Sequence, residues 1–287
     1  MSEFTAVGPA VALDGPLPVA PPQSLLNTPG VVVNPEAFSE RVFNGANVWM
    51  YPTGCSELWE PCLDGTFRVK EDGSTMLTQR FDSFVVYKPV TCSTFGFGGD
   101  SIDELADRIR ATLDATLSAA VERALAEGVS DSSNPFFGDA NVNILNSGTA
   151  VTARIGVSFL EQAIGATCRR GMIHMTPAAV AALPAPLREG ESLATANGTL
   201  IASGMGYQGI DTTALGTPGA TQDWAFATGG VKVYLGPARM ATAKESIDRE
   251  INEVTFRAEM YVLAVWDGVD PEGDELAASA VLVDWAT

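Results

Sequence analysis

At 287 residues, with 46% apolar and 18% charged residues, 28 glycines and 17 prolines, the chain has the makings of one large domain or two intimate ones. That balance excludes disorder throughout, a collagenous chain and a disulfide-stapled scaffold. Asp and Glu number 35 against 17 Lys and Arg, and the net charge of -18 excludes a module that holds nucleic acid by counterion release.

Pro9, Pro16, Pro18, Pro21, Pro22, Pro29 and Pro35 crowd the first stretch, which has no periodic apolar face. It is expected to run extended over 1–45, as an arm that takes its order from a neighbour. No basic leader precedes an apolar stretch, and no run nears the roughly 20 apolar residues of a bilayer span, so a soluble, non-secreted chain is expected. Its cysteines (Cys55, Cys62, Cys92 and Cys168) are then expected to be reduced. Strand-like patterning follows over 48–90, where residues 66–70 and 83–87 flank the polar turn Glu71-Asp72-Gly73-Ser74 and predict a long β-hairpin. A lone two-stranded ribbon is marginal in water, so a partner subunit is its natural support.

Ser101-Ile102-Asp103-Glu104 spells a capping box. Ile102, Leu105, Ile109, Leu113, Leu117, Val121 and Leu125 then recur at spacings of three and four, Ala106, Ala120 and Ala124 narrow the same face, and Gly128 supplies a stop. At about 1.5 Å per residue, the helix over 101–127 is a rod of roughly 40 Å. Beyond the polar stretch 129–148, the pattern predicts a helix over about 149–166, a strand at 172–175, and a brief helix opened by Pro177 and ending near Pro184. Strands are expected at 199–203, 224–228 and 231–235. A closing strand pair joins 253–266 to 278–285 through the turn around Pro271 and Gly273. No internal repeat is visible.

Three groups of residues invite a chemical reading. Gly204-Met205-Gly206-Tyr207-Gln208-Gly209 has the spelling of a dinucleotide fingerprint, with Asp223 at a spacing suited to a ribose contact. That motif must open a helix, and residues 210–219 carry Thr, Gly and Pro, so a glycine-rich turn is expected instead. His174 is the single histidine, so any triad or histidine-bound metal would be built around it. It lies in the apolar run Gly171-Met172-Ile173-His174-Met175 with no Gly-x-Ser-x-Gly elbow in the chain, which favours a structural histidine. The cysteines lack the close pairs of a structural zinc site. Asp103, Glu104 and Asp107 complement a helix N-terminus, and Asn197-Gly198-Thr199 is a glycosylation sequon without meaning in a non-secreted chain. No cofactor, metal or turnover chemistry is expected. An arm, a projecting ribbon and a long helix expose more surface than a monomer leaves in water, which predicts assembly.

Several phrases carry a resemblance. Gly171-Met172-Ile173-His174-Met175-Thr176-Pro177, the stretch Ala196-Asn197-Gly198-Thr199 running into Gly204-Met205-Gly206-Tyr207-Gln208-Gly209, and Ala227-Thr228-Gly229-Gly230-Val231 are similar to axial-domain strands and turns of actinobacteriophage capsids. The order of elements along nearly the whole chain resembles the major capsid proteins of tailed double-stranded DNA bacteriophages, a fold shared with encapsulins and the herpesvirus capsid floor. The resemblance implies an α+β fold with an N-terminal arm (1–47), an extended β-hairpin loop (48–98), a peripheral domain (99–148 and 231–287) carrying the spine helix 101–127, and an inserted axial domain (149–230). It implies a shell protein and no enzyme, assembling with itself as hexamers and pentamers into the icosahedral head. Such a virion protein is assembled in the host cytoplasm, touches no membrane, and encloses DNA without sequence-specific binding. Portal and decoration proteins are implied partners, and because the arm begins close to Met1, a separate scaffolding protein is expected.

Asn252-Glu253-Val254-Thr255-Phe256-Arg257-Ala258-Glu259 is similar to the segment that, in some relatives, forms an isopeptide bond with a lysine on another subunit's extended loop. The resemblance implies Asn252 as electrophile, Glu259 as base and Lys70, nearest the hairpin tip, as nucleophile ahead of Lys88. A carboxylate among apolar neighbours has a raised proton affinity and can free the amine to attack. The plain alternative is that Asn252 bonds backbone and Glu259 pairs with an arginine. The acidic balance implies an inner wall that keeps packaged DNA mobile. Two rivals stand beside the phage head: an encapsulin-type nanocompartment shell, and a soluble oligomeric enzyme using Asp or Glu residues of the axial region.

Overall fold

The computed structural model describes residues 18–33, 43–50, 78–93, 102–130, 132–184, 187–189, 192–241, 247–248, 253–270 and 276–286. The helices are α1 (Ile102–Glu127), α2 (Ala153–Ala166) and α3 (Pro177–Ala181). The strands in the first half are β1 (Val32–Val33), β2 (Ala46–Trp49), β3 (Thr78–Phe81), β4 (Phe84–Ser93), β5 (Asn143–Ile144) and β6 (Val151–Thr152). Then follow β7 (Met172–Met175), β8 (Leu187–Glu189), β9 (Ser192–Ala194), β10 (Leu200–Ser203) and β11 (Gln222–Thr228). The last are β12 (Val231–Leu235), β13 (Arg239–Ala241), β14 (Ile247–Asp248), β15 (Glu253–Trp266) and β16 (Ser279–Asp284).

Helix α1 forms on the expected stripe, with Ile109, Leu113, Leu117, Val121 and Leu125 all buried. Ser101, the expected N-cap, lies outside the described residues. Gly128 ends the helix in the left-handed region at φ +89, a conformation cheap only for glycine. The chain then folds back over the helix end, where the amides of Phe137 and Gly138 donate to the carbonyls of Leu125 and Ala126 at 2.7 and 3.1 Å. Those carbonyls would otherwise be unpaired.

The long strand β15 organises the first sheet. It pairs antiparallel with β4 from Glu253↔Ser93 to Val262↔Phe84 on one side, and with β12, β13 and β14 in succession on the other. Its alternating Phe256, Ala258, Met260 and Val262 are buried in one core with the α1 stripe. The second sheet runs β5-β16-β11-β7-β10-β9-β8, with β6 also on β16. Both of its faces are covered: Trp224 and Phe226 of β11 join the α1 core, while Ala225 and Ala227 join a second core with Leu160 and Ile164 of α2. Double coverage explains why β7 is buried at all four positions instead of alternating.

Four expectations need correction. Residues 253–266 and 278–285 do not pair with each other; β16 lies antiparallel to β11 in the second sheet while β15 centres the first. Of residues 83–87, all but Ser83 fall in β4, whose partner is β15, and the ribbon that exists among the described residues is β2 on β3, with Ala46↔Phe81 and Trp49↔Thr78; residues 66–70 lie outside them. The N-terminal stretch does not wait for a neighbour over 21–33. Leu25 and Val31 are buried in the chain's own core, and β1 adds parallel to β12. Finally, Cys168 is disulfide-bonded, so the four thiols are not all free. A smaller adjustment concerns α2, which starts at Ala153 because Val151 and Thr152 are taken up as β6.

Candidate functional site

Alternation along β15 sends Thr255, Arg257, Glu259 and Tyr261 to the face away from the α1 core. Arg257 Nη2 lies 3.1 Å from Glu259 Oε2, and the Glu259 side chain keeps 22% of its exposure. The Arg257 guanidinium also sits over the ring of Tyr87 on β4, 5.7 Å from its centroid. Arg239, in register with Glu259 on β13, sits 6.0 Å over the ring of Tyr261. Thr91 and Thr255 share a hydroxyl hydrogen bond of 3.0 Å further along. Tyr87 is 58% exposed and Tyr261 38%, so this face carries aromatic rings and guanidinium groups in water.

Of the residues singled out for a covalent bond, Glu259 stands on this face, already partnered by Arg257. Lys88 is in register with Ala258 on β4 and shares the opposite face with buried Val86, so Lys88 and Glu259 of one subunit stand on opposite sides of the sheet. Lys70 and Asn252 lie outside the described residues.

The interior holds the other chemistry-bearing groups. His174 is wholly buried, with Nδ1 3.0 Å from Tyr207 Oη and Nε2 2.8 Å from Thr228 Oγ1. Burial holds its pKa down at about 3, so the ring is neutral and both nitrogens are engaged. The Tyr207 phenol is pushed well up, first by burial and then by the charge of Glu122. Among the described residues no group of three or more His, Cys, Asp or Glu is placed to hold a metal.

The dinucleotide-like spelling has a different use. Met205–Tyr207 forms a single 3-10 turn, and that turn packs against α1 at the buried carboxylate of Glu122. A Cβ on Gly204 would fall 1.9 Å from Glu122 Oε2, and one on Gly206 would fall 2.3 Å from the carbonyl of Ala119. The glycines are there so that a helix and its carboxylate can come close. Asp223 is no ribose ligand: it is buried, and accepts from Gly209 N, Thr176 Oγ1 and Trp285 Nε1 at 3.0, 3.0 and 3.1 Å. Glu122 itself went unread in the sequence, although Ser118 and Glu122 are polar residues four apart on an apolar stripe.

No family model matches the sequence, and no curated protein does. Solved structures match along almost their whole length. A chain of the capsid of the empty GTA particle aligns with a TM-score of 0.54 and 16% identity, over 96% of this chain and 95% of that one. A chain of Mycobacterium phage Cain aligns with a TM-score of 0.57 and 10% identity, over 97% and 95%. The chain has the phage capsid fold. Microbacterium phage Oxtober96 supplies a further example, with a TM-score of 0.54 and 10% identity over 98% of this chain and 97% of that one. In this capsid fold the exposed face of β15 belongs to the first sheet, and the Glu122 and His174 clusters lie at the junction of α1 with the second. No helix among the described residues is long and apolar enough to cross a membrane.

Proposed function

We propose that this chain is the structural subunit of a tailed-phage head, assembling with itself as pentamers and hexamers around double-stranded DNA and turning over no substrate. The observation that carries the reading is the end-to-end likeness to the GTA capsid chain, with 96% of this chain and 95% of that chain aligned. The open face of β4 and β15, with Tyr87 and Tyr261 in water, supports it, because rings so exposed on a protein of this acidity suit contact with another copy. On this reading residues 1–47 are the arm, 48–98 the extended loop, 99–148 and 231–287 the peripheral domain with α1 as its spine, and 149–230 the axial domain. The pairing of β16 with β11 favours counting that last strand with the axial domain. The acidic excess leaves the inner wall poorly suited to sticking to DNA.

The covalent lock is part of the same proposal. The amine of Lys70 on one subunit attacks the side-chain amide carbon of Asn252 on another, forming the N–C bond and expelling ammonia. Glu259 takes a proton from the lysine ammonium and returns it to the departing nitrogen, and the second proton that the lysine nitrogen loses on forming the amide leaves with the ammonia as ammonium. Glu259 is within reach of water and held by Arg257, so the neighbour's loop would have to displace or share that partner. Denaturing electrophoresis of boiled particles tests this step: a ladder above 30.1 kDa is expected, and a single band at that mass overturns the lock without touching the shell reading. An axial-region enzyme has less support, since Glu161 is held by Thr195 and Asn197, and Asp223 by three donors.

A further inference from the structure

Glu122 is 0% exposed, and among the described residues no cation pairs with it. Its carboxylate is satisfied by donors from three separate stretches of chain. Oε1 accepts from the amide of Leu25 and the hydroxyl of Ser118, each at 2.9 Å, and Oε2 accepts from the amide of Gly206 at 3.1 Å. Ser118 Oγ in turn accepts from the amide of Leu26 at 3.2 Å. A buried carboxylate costs several kcal/mol in desolvation, and an apolar side chain of similar size would fill the space without that cost. Hydrogen bonds to a charge are stronger and more directional than apolar contacts, so what the carboxylate adds is position.

The segment it holds is a strap over 21–33 that crosses both sheets. Ser203 at the end of β10 donates to the carbonyl of Gln23 at 2.8 Å, and Val233 of β12 donates to that of Val31 at 2.9 Å. Apolar anchoring by Leu25 alone would tolerate sliding along the α1 groove. Two consecutive amides, Leu25 and Leu26, bonded to two side chains one helical turn apart do not tolerate it.

We propose that Glu122 is a registry lock: its carboxylate fixes residue by residue where the N-terminal strap and the Gly204–Gly209 turn sit on α1. It thereby sets the place from which the chain ahead of residue 18 departs. What that departure serves rests on the shell reading; the lock itself does not.

Hydrogen exchange on the full chain tests it, comparing the native protein with Glu122→Gln and Ser118→Ala. A glutamine keeps one oxygen and presents an NH2 at the other position, so whichever way it turns, one of the Leu25 and Gly206 amides loses its acceptor. Exchange in peptides covering 21–33 or 203–209 should rise by about tenfold or more, while the centre of β11 stays as protected as before. Ser118→Ala should speed exchange over 21–33 and leave 203–209 unchanged. Unchanged exchange in both peptides, or an equal rise across the whole chain, overturns the lock. If Glu122→Gln does not fold, Ser118→Ala carries the test alone: a rise confined to 21–33 supports the lock, and no rise there overturns it. Exchange is read whether or not shells form, so failure of the shell reading is seen separately.

Discussion

The strap over 21–33 and the ribbon of β2 and β3 look alike in sequence, each short, irregular and poor in one-sided apolar periodicity, yet they find their partners in different places. The strap buries Leu25 and Val31 and ties its amides to α1. The ribbon buries Phe81 at its base but leaves Trp49 at 66% exposure. Proline content forbids regular hydrogen bonding within a segment, and says nothing about whether the segment's remaining amides find acceptors in its own chain. Where acceptors are buried on a neighbouring helix, the segment is internal. Where a large ring stays in water, as Trp49 does, the chain's own fold leaves it uncovered, and on the shell reading it is covered by another copy.

That contrast can be broken most forcefully at the strap. Leu25→Ala should cost the isolated subunit about 2–5 kcal/mol, read by urea or thermal unfolding, because the side chain is completely buried. A loss below about 0.5 kcal/mol would place the strap outside the core. Gly206→Ala should follow at about 1–3 kcal/mol, since its methyl meets the α1 backbone. The pH dependence comes next. His174 titrates at about 3 in the fold against 6.5 in an open chain. The unfolded chain therefore takes up the proton first as pH falls. The stability His174 contributes is complete above pH 6.5 and is lost towards pH 3, at about 1.4 kcal/mol per unit. His174→Asn, which does not titrate, should flatten the stability curve by that slope between pH 6 and 4, as measured by unfolding at several pH values. Trp49→Ala is expected to move subunit stability by less than about 0.5 kcal/mol while reducing the yield of assembled species in sedimentation. A large stability loss there would make the ribbon internal as well.

Much of the fold was legible because one-sided periodicity survives in the sequence. The apolar stripe of α1, the runs of β7 and β12 and the alternation of β15 were each read at or within a residue of their observed ends. Pairing was not legible. Sequence adjacency suggested β15 with β16, whereas the unbroken burial of Ala278, Ser279, Ala280 and Val281 belongs to a strand inside a doubly covered sheet. For the site, alternation alone sends Arg257, Glu259 and Tyr261 to one face, so the Arg257–Glu259 pair was within reach of a reading by period two. Glu122 was not, because its partners come from residues 25 and 206, and no local pattern joins them.

Electron cryomicroscopy of the purified full chain tests the central proposal most directly. Closed icosahedral shells with five- and six-fold clusters of subunits, their β15 faces covered by neighbouring copies, are the expected result. A discrete small oligomer or monomer at every concentration, with Tyr87, Tyr261 and Trp49 still in water, would contradict it.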